Sequence, residues 1–331
     1  MSPTTERRVA HLVGAGEPER VVTVVNEEVP TPGPDRVLVS LAAAAVNHSE
    51  NLAMAGGAYA AKLTFPQPLG YEGAGTVLAA GPGVELSPGT RVCFIGPGAG
   101  CCADLATVPA AMTVPIPDDL ALSDAARVLA PGLTARLLTR VRDLSGATVA
   151  VWGAAGPVGR MLTAFLTEAG ATVIGIASGG RVADVRAVGG THAIDRSTQD
   201  VAAAVRELTD GGADAVYDPV GATTYRTSLD LLAPRGLYVS FGQLCGSLPK
   251  IDLMDLMDKG IQVTKAGGGR AFMDDFAEIP ALLAGVVDAV VANPALVSPI
   301  GGEFPLSRVT EAYRQLADGT TGKILVVPDP A

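Results

Sequence analysis

The pattern of apolar and polar positions changes along the chain. Up to about Asp119, short apolar runs such as residues 36–41 and 90–95 are separated by glycine and proline. Runs at this spacing predict an irregular, barrel-like β domain. From about Ser123 onward, apolar runs alternate with stretches of helical periodicity, which predicts a parallel sheet covered by helices on both faces.

The first strand and helix of this second part are the clearest. Residues 147–152 form an apolar run that predicts a buried strand. The next stretch, residues 157–169, carries apolar side chains along one helical face: Val158, Met161, Leu162, Phe165, Leu166 and Ala169. Pro157 suits the first helical turn and Gly170 the C-terminal cap. Residues 171–177 predict the next strand.

Later segments continue the alternation. The pattern predicts helices at 201–208 and 224–232 and strands at 213–217, 236–241 and 261–265. Beyond them it predicts a helix near 274–292, with Pro280 at its start or at a kink, a short helix at 307–317 and a last strand at 323–327. We therefore expect an α/β domain inside a β-rich one.

A glycine-rich loop joins the first predicted strand to its helix. It has the form G-x-x-G-x-x-G and contains Gly153, Ala155, Gly156, Pro157, Val158 and Gly159. Glycines permit a tight turn and let the backbone approach a pyrophosphate, while the helix N-terminus offers free N–H groups to an anion. The loop and its context predict a dinucleotide site.

The end of the second strand indicates which dinucleotide binds. An NAD site has Asp or Glu at this place to accept a hydrogen bond from the ribose 2′-hydroxyl. Here the strand is followed by Ser178 and Arg181, which suit a 2′-phosphate, and Arg196 can flank the same phosphate or be a solvated surface residue. The sequence therefore predicts NADPH in preference to NADH.

Composition narrows the range of partners. The 331 residues carry 24 Lys and Arg against 34 Asp and Glu, and a net charge of −10 argues against nucleic-acid binding through phosphate neutralisation. Four cysteines do not form a disulfide framework, so we expect reduced thiols in a cytoplasmic protein. The most apolar stretch, residues 281–292, is too short to span a membrane, and no secretory signal is expected at residues 1–8.

The glycine loop together with the upstream segment Gly-Tyr-Glu-Gly-Ala-Gly-Thr-Val at residues 70–77 resembles the medium-chain dehydrogenase/reductase superfamily. It is most similar to the zinc-free branch of NADPH:quinone oxidoreductases, which includes zeta-crystallin and the enoyl-thioester reductases. The resemblance implies a GroES-like β domain, residues 1–122 plus 268–331, with an inserted Rossmann domain of doubly wound parallel sheet at residues 123–267. It also implies a homodimer.

The resemblance further bears on metal binding. Zinc-dependent members carry Cys and His as catalytic ligands at positions where this chain has Asn47 and Tyr71, and neither is a normal zinc ligand. We therefore expect no functional metal. Without a Lewis acid to polarise an alcohol oxygen, reduction of a quinone or a conjugated C=C bond is favoured over simple alcohol oxidation.

Two side chains are candidates for catalysis. Tyr59 matches the tyrosine that enoyl-thioester reductases of this branch use near the reacting carbons; the alternative is that it only lines the pocket while water supplies the proton. Asn47 is a candidate for orienting cofactor or substrate, or it simply forms a turn after a strand. Further cofactor contacts implied by the resemblance or by strand ends are Thr134, Val220, Phe241, Gly242 and Lys323.

These features predict an NADPH-dependent, zinc-independent reductase of quinones or α,β-unsaturated carbonyl compounds. The alternatives are an enoyl-thioester reductase acting on CoA or carrier-protein substrates and a pathway-specific reductase of an unusual substrate. A protein that binds NADPH as a sensor or structural module is the alternative outside enzyme chemistry.

The cofactor preference is testable by fluorescence titration of the protein with NADPH and NADH. NADPH should bind more tightly, because Ser178 and Arg181 offer partners that only the 2′-phosphate can use. Tighter binding of NADH would contradict the argument from these two residues.

Overall fold

The computed structural model describes residues 6–61, 63–266 and 275–330. The chain folds into two compact units. Unit 1 comprises Met1–Ala130, Ala277–Ala292 and Pro299–Ala331, and unit 2 comprises Pro131–Phe276 and Asn293–Ser298. The domain boundaries expected from the sequence stay predictions, and the one between residues 267 and 268 lies outside the described residues.

The described residues contain sixteen strands, numbered in chain order. They are β1 Glu6–Leu12, β2 Val22–Glu28, β3 Arg36–Ala45, β4 Gln67–Pro68, β5 Glu72–Ala80, β6 Arg91–Ile95, β7 Leu105–Pro109, β8 Thr113–Pro115, β9 Thr148–Trp152, β10 Thr172–Ala177, β11 His192–Asp195, β12 Ala213–Asp218, β13 Leu232–Ser240, β14 Gln262–Lys265, β15 Ile300–Pro305 and β16 Lys323–Val327.

Twelve α-helices accompany them among the described residues. They are α1 Pro18–Val21, α2 His48–Met54, α3 Gly57–Ala60, α4 Leu122–Ala125, α5 Leu129–Leu138, α6 Pro157–Glu168, α7 Val182–Ala187, α8 Val201–Leu208, α9 Tyr225–Leu231, α10 Met254–Met257, α11 Ile279–Ala292 and α12 Val309–Asp318. None of them is long and apolar enough to cross a bilayer.

Unit 1 is built on two sheets. One has the order β2-β1-β4, and the larger has the order β15-β16-β3-β5-β6-β8, with β7 also paired to β3. All pairs are antiparallel except β15 with β16. Because β16 pairs with β3, the last strand of the chain completes the sheet that the first hundred residues begin. The core of this unit includes Val37, Val39, Phe94 and Tyr313, all fully buried.

Unit 2 contains a six-stranded sheet in which every pair is parallel, in the order β11-β10-β9-β12-β13-β14. Chain order therefore runs outward in both directions from β9, which is the doubly wound arrangement. The predicted fold class, a β domain with an inserted doubly wound parallel sheet, is confirmed.

Helix α6 follows the predicted pattern closely. It begins at Pro157, with Gly156 as its N-cap, and buries Met161, Leu162 and Phe165 against the sheet. Strand β13 differs, because it begins at Leu232 rather than at residue 236. The register against β12 shifts along this segment, where Arg235 has a φ of 65°. A bulge of this kind removes the simple alternation by which a strand is recognised in sequence.

Truncation of a core side chain of α6 should destabilise the protein measurably. Leu162 is fully buried, so Leu162→Ala should lower the free energy of unfolding by about 2–5 kcal/mol in urea denaturation followed by circular dichroism. The matched control is Leu208→Ala on α8, where the leucine is 40% exposed and the loss should be much smaller. Equal losses in both variants would contradict the packing described for α6.

Candidate functional site

The glycine loop of unit 2 has the shape that a bound pyrophosphate requires. Gly153 adopts a φ of 64°, and the Gly156 N–H donates to the Gly153 carbonyl oxygen at 2.8 Å. A Cβ at Gly159 would lie 2.1 Å from that same oxygen, so no other residue fits there. The loop therefore closes tightly and presents the N-terminus of α6, a twelve-residue helix, to an anion.

Two arginines hold the glycine loop in place through hydrogen bonds to its backbone. The Arg160 Nε and the Arg181 Nη2 both donate to the carbonyl oxygen of Ala155, the Arg160 bond being 3.1 Å long. Asp184 accepts from Arg160 at 2.5 Å and lies 3.8 Å from the Arg181 Nε. Arg181, which is predicted to bind a 2′-phosphate, therefore also supports the loop. The Asp184 carboxylate lies near both arginines and partly balances the charge of Arg181.

The carboxylate of Asp195 lies beside Ser178, although the sequence places it too far along the chain to be expected as a ribose ligand. The Gly179 N–H donates to Asp195 Oδ1 at 2.9 Å, and Ser197 donates to the same oxygen from its backbone and its hydroxyl. These hydrogen bonds, that from the Ser197 side chain foremost, lower the pKa of Asp195. Asp195 is seventeen positions beyond Ser178, but β11 pairs with β10 and brings Asp195 opposite Ala177.

Arg196 follows Asp195 at the end of β11. Its side chain is exposed, and its backbone N–H donates to the Ala177 carbonyl oxygen at 2.9 Å. The structure therefore places an arginine and a carboxylate together beside the end of β10. A role of Arg196 in phosphate binding stays a prediction.

A buried aspartate shapes the next loop along the same edge of the sheet. Asp218, fully buried at the end of β12, accepts hydrogen bonds from two backbone N–H groups and three hydroxyl groups at 2.7–3.2 Å: those of Val220, Gly221, Thr224, Ser228 and Tyr238. It thereby fixes the position of Val220. The role of Asp218 is not predicted from the sequence, although an acid at the end of an otherwise apolar run indicates a buried carboxylate that needs hydrogen-bond partners.

The segment after β13 completes this edge. The Phe241 N–H donates to the Asp218 carbonyl oxygen at 3.0 Å, and a Cβ at Gly242 would lie 2.4 Å from the Pro219 carbonyl oxygen. Lys265 donates to Ser240 Oγ and to the Gly242 carbonyl oxygen. Since the strands are parallel, the loops after β9, β10, β12 and β13 lie at one edge, where ligands of doubly wound sheets bind. Thr134, by contrast, lies part-buried within α5.

Unit 1 holds a second group of polar side chains, here called the Glu72 cluster: Asn47, Ser49, Tyr71, Glu72 and Lys323. Lys323 Nζ donates to Glu72 Oε2 at 2.9 Å and to Asn47 Oδ1 at 2.5 Å. Glu72 is fully buried and Lys323 is 6% exposed, so the lysine is not a solvated surface residue. Glu72 Oε1 accepts from the Ala130 N–H at 2.8 Å, which gives both carboxylate oxygens a partner.

Sheet order explains why these residues meet. In the order β16-β3-β5, the antiparallel pairing sets the end of β3 beside the first residues of β16 and β5. Asn47 follows β3, while Lys323 and Glu72 are the first residues of β16 and β5. Three residues separated by up to 276 positions therefore converge at one end of the sheet.

The backbone and the side chain of Asn47 make different hydrogen bonds. Its backbone N–H donates to Glu50 Oε2 at 3.1 Å and so begins α2. Its side-chain Nδ2 donates to the Ala45 carbonyl oxygen at 3.1 Å, and Lys323 holds its Oδ1. The amide is therefore fixed in orientation by groups on both of its ends. Burial raises the pKa of Glu50, which also accepts from the Gly70 N–H at 2.7 Å.

Two tyrosines of unit 1 differ sharply in environment. The Tyr71 hydroxyl lies 3.1 Å from Ser49 Oγ, and Tyr71 is part-buried. Burial raises the pKa of Tyr71, and the neighbouring carboxylates of Glu50 and Glu72 add to that effect. Tyr59, the predicted catalytic residue, lies in the one-turn helix α3 and is 39% exposed, with no side-chain hydrogen bond to another described residue.

Within the described ranges, no three residues among His, Cys, Asp and Glu gather in a way that could hold a metal ion. The cysteines Cys93, Cys101 and Cys102 are buried free thiols, and Cys245 is an exposed one.

Two family models match the sequence. Residues 33–118 match the alcohol dehydrogenase GroES-like domain, and residues 157–285 match the zinc-binding dehydrogenase domain. A 2-haloacrylate reductase of Burkholderia sp is 33% identical over 319 residues, which cover 91% of this chain and 93% of that protein. A quinone oxidoreductase of Pseudomonas aeruginosa is 34% identical over 307 residues, covering 90% and 92%. The chain belongs to the medium-chain dehydrogenase/reductase superfamily.

Solved structures agree with this membership. A mycobacterial protein in complex with NADPH superposes with a TM-score of 0.82 at 30% identity and covers 97% of this chain and 100% of that one. A quinone oxidoreductase of Pseudomonas syringae gives a TM-score of 0.81 at 31% identity with the same coverage. The resemblance inferred from the sequence, to the quinone oxidoreductase branch of the superfamily, is confirmed.

The resemblance places the catalytic zinc ligands of zinc-dependent members at the positions of Asn47 and Tyr71, which lie outside the zinc-binding dehydrogenase match at residues 157–285. In this chain an amide and a phenol stand at those positions, in a cluster with a lysine whose charge Glu72 balances. The amide and the phenol are not normal zinc ligands, and both oxygens of the one carboxylate in the cluster, Glu72, already accept from Lys323 and Ala130.

The ion pair at the centre of the cluster should matter for stability. Glu72→Gln keeps the shape of the side chain but leaves the buried Lys323 ammonium without a counter-charge, so the free energy of unfolding should fall by about 3–5 kcal/mol in urea denaturation.

The matched control for Glu72→Gln is the double variant Glu72→Gln with Lys323→Met, which removes both charges and should regain much of that loss. A Glu72→Gln protein as stable as the parent, or a double variant less stable than the single one, would contradict the assignment.

Proposed function

We propose that this protein is an NADPH-dependent, zinc-independent oxidoreductase that reduces quinones or α,β-unsaturated carbonyl compounds. The observation that carries the proposal is that one chain contains both a complete glycine loop, in unit 2, and the amide and phenol of the Glu72 cluster, in unit 1. The first suits a dinucleotide, and the second offers hydrogen-bond donors where a metal ligand set is expected in zinc-dependent relatives.

Residues of unit 2 fit the cofactor. The N-terminus of α6 and the loop from Gly153 to Gly159 would hold the pyrophosphate, and Ser178, Arg181 and Arg196 would face the 2′-phosphate. When bound, NADPH supplies a hydride equivalent. Asp195 keeps the turn at Gly179 in place, so we assign it the task of shaping the pocket for the adenosine end.

Residues of unit 1 fit a substrate in which charge develops on oxygen. Reduction of a quinone or a conjugated carbonyl places negative charge on an oxygen atom, and fixed hydrogen-bond donors stabilise such charge. Asn47 Nδ2 already donates to the Ala45 carbonyl oxygen and to Glu72 Oε2, so the amide fixes the shape of the cluster and the neighbouring hydroxyl groups are the donors left for a ligand. The relative from Burkholderia is a reductase of 2-haloacrylate, which is itself a conjugated acid.

The experiment is a comparison of electron acceptors. NADPH oxidation would be followed at 340 nm with 1,4-benzoquinone, 2-chloroacrylate, methyl vinyl ketone or crotonyl-CoA, and NADP⁺ reduction with a primary alcohol would be the reference reaction. We expect turnover with the quinone or with one of the small conjugated acceptors, and none with the alcohol.

The other outcomes of the acceptor comparison each point to a different function. Turnover confined to crotonyl-CoA would indicate an enoyl-thioester reductase. Tight NADPH binding without oxidation by any acceptor would contradict the proposed reaction and favour a sensor or structural role. Turnover with the alcohol alone would contradict the proposed substrate class.

A further inference from the structure

The hydroxyl groups of Tyr71 and Ser49 form a pair whose purpose packing alone does not explain. They lie 3.1 Å apart, and either can be the donor. Ser49 and Tyr71 are both part-buried. Asn47, two residues before Ser49, and Glu72, directly after Tyr71, tie the pair to the same end of the sheet as Lys323.

The backbone holds this pair in place from both sides. The Tyr71 carbonyl oxygen accepts from the Gly96 N–H at 2.6 Å, and strand β5 begins at the very next residue. Before Tyr71, the Gly70 N–H donates to Glu50 at 2.7 Å, and Gly70 adopts a φ of 84°. Ser49 lies in the first turn of α2, whose start the same Glu50 carboxylate fixes through the Asn47 N–H. One buried carboxylate therefore positions both hydroxyl-bearing segments.

The arrangement leaves one proton free for a ligand. When Ser49 donates to the Tyr71 oxygen, the phenolic hydrogen is available to an incoming oxygen atom, and the hydrogen bond from Ser49 supports the phenolate that would remain. Burial and the nearby carboxylates keep the phenol protonated at neutral pH, since they raise the pKa of Tyr71. Tyr59 lacks such a partner among the described residues and lies on a single helical turn.

We propose that Tyr71, supported by Ser49, is the hydrogen-bond and proton donor to the oxygen of the substrate, a task for which the family resemblance offers Tyr59 as a candidate. The proposal rests on the proposed function, since it concerns reduction of a conjugated carbonyl compound or quinone.

The proton balance is simple. When bound, NADPH would supply one hydride to the β-carbon of the substrate, and the electron pair of the C=C bond would pass to the carbonyl oxygen as an enolate. The Tyr71 O–H bond breaks as its proton passes to the enolate oxygen, the Ser49 proton moves to the Tyr71 oxygen, and water restores the proton of Ser49. The resulting enol becomes the saturated carbonyl compound when water gives a proton to the α-carbon and takes the proton from the enol oxygen. One hydride and one proton are consumed for each C=C bond reduced.

The test compares Tyr71→Phe, Ser49→Ala and Tyr59→Phe with the parent enzyme, using NADPH and 2-chloroacrylate or the best acceptor found. We expect Tyr71→Phe to lower kcat by about 100-fold and Ser49→Ala by about tenfold, with the Kd for NADPH within about twofold of the parent value. The loss in Tyr59→Phe should be smaller than that in Tyr71→Phe. The control is Tyr225→Phe in unit 2, which removes a buried hydroxyl that has no hydrogen-bond partner among the described residues and should leave kcat unchanged.

A second readout does not depend on turnover. p-Nitrophenolate, a stable oxyanion, would be titrated into the protein in the presence of NADP⁺ and followed by its visible absorbance. Tyr71→Phe should weaken its binding by about tenfold, the effect of losing one hydrogen bond to a charged oxygen, whereas Tyr225→Phe should not change it.

The two readouts separate the proposals. One outcome is that p-nitrophenolate binding depends on Tyr71 although none of the acceptors tested supports NADPH oxidation. That outcome would support Tyr71 as a hydrogen-bond donor and contradict the proposed function. Normal turnover in the parent with kcat of Tyr71→Phe within about threefold of it, or a greater loss in Tyr59→Phe, would overturn the assignment of Tyr71.

Discussion

The buried ion pair between Lys323 and Glu72 is the constraint on which the polar end of unit 1 depends. Removing two charges from water is costly. The two side chains offset that cost by pairing with each other and by hydrogen bonds to the Asn47 amide and, for Glu72, from the Ala130 N–H. The pair also joins three neighbouring strands at one end of the sheet. Because the charges balance locally, the amide and phenol groups beside them have fixed directions.

Unit 2 solves a similar problem with a different residue. Asp218 satisfies five donors from one buried carboxylate and so gives a fixed shape to the loop that carries Val220. Arg160 does the same for the glycine loop through the Ala155 carbonyl oxygen. In both units, charged side chains buried next to strand ends determine the geometry of segments that have little structure of their own.

The parts predicted well from the sequence are those that local patterns encode. The glycine loop, α6 and the parallel strands each follow from the spacing of a few neighbouring residues. Glu72 receives no role from the sequence, because Asn47 and Lys323 come from distant segments that only strand pairing brings near it. Most partners of Asp218 and Asp195 lie within ten residues, but the sequence does not show that the backbone turns so that these groups reach the carboxylates. The sequence around Lys323 is equally compatible with a solvated lysine, since nothing near it shows that Asn47 and Glu72 surround it. For Asp218, an acid at the end of an otherwise apolar run is a signal that the sequence does carry.

In this member of the superfamily we expect hydrogen-bond donors, without a metal ion, to serve the oxygen of the substrate. The most direct measurement is the zinc content of the purified, active protein by inductively coupled plasma mass spectrometry, read alongside its NADPH oxidation before and after dialysis against a chelator. The account predicts substoichiometric zinc and full activity after dialysis. One zinc ion for each chain, lost together with the activity and restored with it, would contradict the account.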